Sequence, residues 1–199
     1  MAGRPREFDE TDALEEAMLL FWRQGYESTS LSELIEHMSI SRQSLYNTFG
    51  GKQQLFHRVL EHYQQTRVAG VFQMLEAADA DLHTIEEYFA NVATYTTMPG
   101  EVRVGCLMVN TTVELANQEG DAATVVRRFG MRLEKALLHA LRGARKAGQL
   151  AEQPDPKAMA QYLTTVVQGM LVVSKAGASR KQLQSTVQLA LASVRAVSS

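Results

Sequence analysis

Two cations stand where an isolated helix would reject them. Arg42 and Lys52 each follow a residue suited to start a helix, Ser41 and Gly51. A positive side chain in a first turn opposes the helix dipole and costs roughly 0.3–1 kcal/mol. A phosphate chain lying across both helix ends reverses that sign, because helix N-termini bind anions. The stretch from Thr29 to Phe56, TSLSELIEHMSISRQSLYNTFGGKQQLF, therefore points to a polyanion, and so to nucleic acid. The other side chain with chemistry of its own is Cys106, the single cysteine. If residues 103–116 are helical, Arg103 lies at i−3 from the thiol and favours its thiolate form.

Local rules place the elements that would hold these groups. Asp9 caps a first helix, whose stripe of Ala13, Leu14, Ala17, Met18, Leu20, Phe21 and Trp22 ends at Gly25. Ser30 and Glu33 form a capping box for a second helix reaching about His37. Ser41 caps a third, with Ile40 and Leu45 as a hydrophobic staple, and Gly50-Gly51 stop it at Phe49. A helix, a short turn and a short helix make a helix-turn-helix in outline. From Lys52 one long helix is expected to about Ala77, then helices over 82–96, 103–116, 122–146, 156–175 and 179–197. Pro154-Asp155-Pro156 is a break, with Asp155 as cap and Pro156 at the first helical position. No segment alternates with period two, so the fold class is all-α, with about nine helices. Residues 1–52 would form the helix-turn-helix domain with a basic N-terminal arm, and 53–199 a second helical domain.

Bulk composition narrows the classes without choosing among them. Hydrophobic residues are 45% and charged residues 21% of the 199, an ordinary globular balance. The net charge of −2 carries no general basic signature. The first 67 residues hold seven Lys/Arg against ten Asp/Glu, but residues 37–67 hold four cations and only Glu61. No apolar run approaches membrane-spanning length, no signal-peptide core opens the chain, and the lone cysteine excludes an internal disulfide framework. A cytoplasmic protein with no membrane partner is expected. The five histidines form no HExxH pattern, and neither a Gly-rich phosphate loop nor a nucleophile elbow is present. No metal, no cofactor and no enzymatic activity are expected. A helical protein-binding adaptor, or a small enzyme without recognisable motifs, remains the alternative, though an adaptor leaves Arg42 and Lys52 unexplained.

The segment SRQSLYNTFGGKQQLF resembles the end of the DNA-binding domain of TetR-family transcriptional regulators, with Leu45, Tyr46, Phe49, Lys52, Leu55 and Phe56 on the family's core pattern. Gly25-Tyr26, Thr29 and Ser30 are similar to it too. The resemblance implies a homodimeric, ligand-responsive regulator, by default a repressor, bound to a palindromic double-stranded operator. Arg42, Gln43 and Ser44 then open a recognition helix, where Arg suits guanine and Gln suits adenine. Ser41, Tyr46, Asn47 and Thr48 present polar tips on the same helix. Thr29, Ser30 and Lys52 would contact phosphate, and the arm carrying Arg4 and Arg6 adds to the interface.

The second half is expected to pair and to sense. Met159, Leu163, Val166, Met170 and Val173, then Leu183, Val187, Ala190, Leu191 and Val194, recur at helical spacing over the last two helices. The resemblance implies dimerisation there, some of these residues also serving the subunit core. A palindromic operator needs such a two-fold pair, with half-sites about 34–36 Å apart. The Gly-Cys-Leu segment at Cys106 resembles a subset of the family with an electrophile- or oxidant-sensing cysteine; an inert buried thiol is the competing reading. A non-covalent apolar or aromatic effector would line up with Phe72, Met74, Phe89, Tyr95, Met108, Phe129, Met131, Leu137 and Tyr162, all of which suit plain core equally. Either signal would tilt the helix that starts at Lys52 and change the separation of the recognition helices.

Overall fold

Helix starts follow the caps that the residues supply. A computed structural model describes residues 8–95, 104–115, 117–118, 120–150 and 155–195. Helix α1 (Glu10–Gln24) begins where the Asp9 carboxylate accepts from the Thr11 and Asp12 amides. Helix α2 (Leu31–His37) carries the full capping box between Ser30 and Glu33. Helix α3 (Arg42–Phe49) is capped by Ser41, with the staple pair Ile40 and Leu45 both buried. Gly50 and Gly51 then turn the chain at φ of 81° and 137°, a left-handed region open mainly to glycine.

Helix α4 (Lys52–Tyr63) continues through a π-helical turn, Gln64–Val68, into α5 (Ala69–Leu75). The expected unbroken helix is thus two α-segments with a widened turn between them. Helix α6 spans Leu82–Tyr95, α7 Leu107–Leu115, α8 Asp121–Lys146, α9 Pro156–Lys175 and α10 Arg180–Arg195. Counting α4 to α5 as one rod gives nine helices, and no strand occurs among the described residues. The expected helix from residue 103 starts four residues late. Gly105 sits at φ 67°, outside the right-handed region, and the Cys106 carbonyl is the first to accept a helical amide, that of Asn110.

Two buried clusters divide the interior. The first joins α1 to α4 with the start of α7; Phe21, Phe56 and Tyr26 meet there with ring centroids 4.7–6.1 Å apart. Each such aromatic pair adds about 0.5–1.5 kcal/mol beyond its buried area. The second joins α5, α6, α8, α9 and α10 around Phe72, Phe89, Leu137, Leu163 and Leu183. Small residues let α8 approach closely, and at Gly143 the Ala80 carbonyl occupies the place of a side chain.

Gly143→Ala is expected to lower the melting temperature by roughly 2–8 °C, since overpacking against backbone costs about 1–3 kcal/mol or more, outweighs the helix propensity gain of about 1 kcal/mol, and each net kcal/mol shifts a chain of this size by about 2–4 °C. Gly70→Ala, which meets nothing within 4 Å, should leave it unchanged or raise it. Equal melting curves for the two variants would contradict this packing.

Candidate functional site

The short helix α3 spends two residues on the core and offers the rest. Leu45 and Phe49, one turn apart, are buried, while Arg42, Gln43, Tyr46 and Asn47 are exposed. The Gln43 amide donates to the Asn47 carboxamide oxygen at 2.8 Å, which orders the two exposed side chains as a unit. The Ser41 hydroxyl accepts from the Ser44 amide at 3.0 Å and lies 2.8 Å from the Ser44 hydroxyl. Ser41 and Ser44 are thereby engaged in holding the helix start. Thr48 is half-buried, at the edge of this strip.

The start of α4 lacks the side-chain cap that α1, α2 and α3 possess. Its orphan amides are therefore free for an outside anion. Lys52 stands at the first helical position, its ammonium 4.4 Å from the centroid of the Tyr26 ring. Lys52 also lies near the Glu33 carboxylate, whose pKa is lowered first by its hydrogen bonds from Ser30 and further by Lys52. Tyr46, 47% exposed, packs its ring edge against Gly51, at the same helix end. Amides, ammonium and phenol together can grip a phosphate.

The early acids have partners away from this face. Glu10 pairs with Arg58 and Glu15 with Arg67 and His62, while Glu16 lies 3.2 Å from His37. Arg58 also lies over the Phe49 ring. Of the four cations in residues 37–67, two are thus tied to α1. Arg42 has no ion-pair partner among the described residues.

Several expected contacts are placed differently. Thr29 is fully buried; its hydroxyl donates to the Gly25 carbonyl at 2.6 Å, so it ties the α1–α2 turn and cannot reach phosphate. Ser30 is exposed, but its hydroxyl and amide are both taken by the capping box. Arg4, Arg6 and Arg103 lie outside the described residues.

A cavity of about 240 Å³ opens between the π turn, α5, α6, α8 and the start of α7. Phe72, Tyr95, Phe129 and Cys106 line it as expected, joined by Tyr63, Tyr88, Asn91, Arg67 and Leu133. Phe89, Met108 and Leu137 are wholly buried, away from it. Tyr162 and Met131 are exposed on the outside, 44% and 56%, and do not line it; Met74 packs on the second cluster. Sequence patterning missed Tyr63 and Tyr88 because each also sits on an apolar helical stripe.

Cys106 is 6% exposed, and burial pushes its thiol pKa up, against weaker opposing effects of the Tyr63 hydroxyl and the α7 amides. The Tyr63 hydroxyl donates to the sulfur at 3.5 Å. Helix α7 begins only at Leu107, so Cys106 precedes it, and the expected pairing with Arg103 lies outside the described residues. In this state the thiolate is disfavoured.

The face expected for pairing divides in two. Leu163, Met170, Leu183, Val187, Ala190 and Val194 are buried within the subunit and cannot meet a partner as they stand. Met159, Val166 and Leu191 are half-buried, and Val173 is 40% exposed. Val172 and Leu189, at 43% and 72%, join Tyr162 as outward apolar groups on α9 and α10.

A short reading helix, an anion-receptive helix end beside it and a helical half with a cavity define a helix-turn-helix regulator with a sensing domain. Sequence comparison agrees. Residues 13–59 match the family of bacterial regulatory proteins named tetR, and residues 82–190 match the tetracyclin repressor-like C-terminal domain. The chain is 32% identical over 190 residues to the uncharacterized HTH-type transcriptional regulator YezE of Bacillus subtilis (strain 168), covering 95% of this chain and 97% of that protein. It is 32% identical over 182 residues to the HTH-type transcriptional repressor ComR of Escherichia coli (strain K12), covering 91% and 86%. Its fold superposes with a TM-score of 0.82 and 30% identity on a cysteine mutant of the TetR family regulator CifR, solved with a 26-bp double-strand operator DNA, over 95% of this chain and 98% of that one. The protein belongs to the TetR family of transcriptional regulators.

Native Cys106 should react with N-ethylmaleimide markedly more slowly at pH 7.5 than in the urea-unfolded chain, because burial both shields the sulfur and raises its pKa, leaving less of the reactive thiolate. Mass spectrometry of timed samples measures this; equal rates would show that the thiol is neither shielded nor shifted.

Proposed function

We propose that the protein is a dimeric repressor that binds a palindromic operator and leaves it when a small apolar or aromatic effector fills the cavity. The observation that carries this reading is the uncapped start of α4, where Lys52 and Tyr46 stand beside the exposed strip of α3. A base-reading helix and a phosphate grip belong side by side, since phosphate contacts set register and base edges set sequence. Arg42, Gln43 and Asn47 read bases; Lys52, Tyr46 and the α4 amides hold the backbone. Residues 1–52 form the reading head and 53–199 the part that senses and pairs. Exposed apolar groups on α9 and α10, Tyr162, Val172, Val173 and Leu189, supply the two-fold contact. The likeness to ComR and to the operator-bound CifR chain supports repression at a duplex site. A regulator that works on operator DNA acts in the cytoplasm, where that DNA is, and no helix among the described residues is long and apolar enough to cross a membrane.

Two elements run from cavity to DNA. Helix α4 has Tyr63 on the cavity wall at one end and Lys52 at the other, about 17 Å away at 1.5 Å per residue. Helix α7 starts at the cavity, just after Cys106 and with Val109 on the wall, and near its end carries Glu114, whose carboxylate accepts from the Tyr26 and Glu27 amides at 3.1 and 2.7 Å. Tyr26 in turn lies under Lys52. An effector releases the operator only if it binds the displaced arrangement better, with coupling of about 1–3 kcal/mol typical. We assign release to occupancy of the cavity rather than thiol chemistry because Cys106 is buried and protonated.

The duplex sites that the protein occupies in cells, recovered by crosslinking, provide the probe. Lys52→Ala is expected to weaken binding in fluorescence anisotropy at least about tenfold and to lower the salt slope by about one. Unchanged affinity and slope would remove the assignment. Glu114→Ala touches neither Arg42, Tyr46 nor Lys52, yet should also weaken the effector-free complex, several-fold. Wild-type affinity in that variant would rule out the α7 route.

A further inference from the structure

We propose that the cavity selects an uncharged, largely apolar molecule of one ring and a few further atoms, bearing a hydrogen-bond acceptor that the Tyr88 hydroxyl grips. The inference rests on the cavity being the effector site and adds the chemistry of its occupant.

Size comes first. An engineered apolar cavity of about 150 Å³ holds benzene, so 240 Å³ admits a ring with a short substituent. Charge comes next. The walls are Val68, Val71, Phe72, Val92, Phe129 and Leu133, with Leu171 behind, and among the described residues no carboxylate lines them to meet a cation. Arg67 is the one cationic side chain among the described lining residues, and it is paired with Glu15. An anion would have to break that pair and lose its own hydration, an expensive exchange in an apolar enclosure.

The polar groups left over decide the rest. The Tyr63 hydroxyl is engaged with the Cys106 sulfur. Asn91 is exposed, at the mouth. Tyr88 is 5% exposed and lines the cavity, yet its hydroxyl has no hydrogen-bond partner among the described residues. The hydroxyl is not sealed off from solvent but open to the cavity, so the cavity is where its hydrogen bond must be met. A phenol is a better donor than acceptor, because the ring draws on its oxygen lone pairs. A ligand that merely donated to it would leave the O–H still unmet. A carbonyl or ether oxygen satisfies the group that burial penalises.

The test uses the full-length protein and three probes of similar shape: acetophenone, ethylbenzene and benzoate, titrated by calorimetry at neutral pH. Acetophenone and ethylbenzene should both bind and benzoate should not. Tyr88→Phe, which removes one oxygen, should reduce the preference for acetophenone over ethylbenzene on the order of fivefold and leave ethylbenzene unchanged. An identical preference in wild type and variant, or benzoate as the tightest probe, overturns the inference. If acetophenone and ethylbenzene bind wild type and variant alike and both displace operator DNA, the effector cavity stands and the Tyr88 assignment falls. If none of the three binds, both fall.

Discussion

The Trp22 indole N–H reaches the Gly105 carbonyl at 3.0 Å, inside the protein and across 83 residues of sequence. The same indole meets the Tyr63 ring edge-on at 5.0 Å. That joint ties α1 of the reading head, the end of α4 and the entry to α7 into one buried contact. It depends on Gly105, since a side chain at its left-handed φ would be strained and would press on Asn110, Lys175 and the Leu171 carbonyl. A buried indole donor left unpaired costs about 1–3 kcal/mol, so the joint holds as a unit or opens as one. Gly105, Cys106 and Tyr63 also stand in the cavity wall, so the cavity and the joint share the same residues.

Electrostatics on the reading head follows a division of labour. An excess of acids over cations would ordinarily argue against a phosphate partner. Here Glu10 and Glu15 lie against Arg58, Arg67 and His62 on the side where α1 meets α4. Those pairs settle the packing of α1 on α4 and leave the α3–α4 edge to Arg42 and Lys52. Exposed pairs add little stability, so position matters here more than strength.

In the sensing half, an apolar enclosure contains three groups that prefer to stay neutral. Burial raises the pKa of Cys106, Tyr63 and Tyr88 alike. For acids whose folded pKa lies above the unfolded value, the stabilisation is complete below the ordinary thiol and phenol values and fades as pH climbs through the raised ones. Near neutrality all three are protonated, so these groups offer the cavity hydroxyl and thiol dipoles rather than charge.

Local rules in the chain were enough for most helix starts. Asp9, Ser30 with Glu33, Ser41 and Asp155 each cap where their type and spacing indicate, because a cap is a contact over two or three residues. The eight-residue α3 and its outward strip were equally legible, from Gly50-Gly51 and the Leu45–Phe49 interval. Contacts between distant segments decided the rest. Thr29 looked like a phosphate ligand until α1 folded back to accept its hydroxyl, and Cys106 looked exposed to a helical arginine until Gly105 delayed the helix. Apolar periodicity on α9 and α10 marks a face that is covered but not what covers it; packing against α6 and α8 claims Leu163, Leu183 and Ala190 and leaves Tyr162 and Leu189 outside. Helix ends are therefore written in the chain itself, while the cavity, the Trp22 joint and the place of Tyr88 on the cavity wall exist only once helices far apart in sequence are brought together.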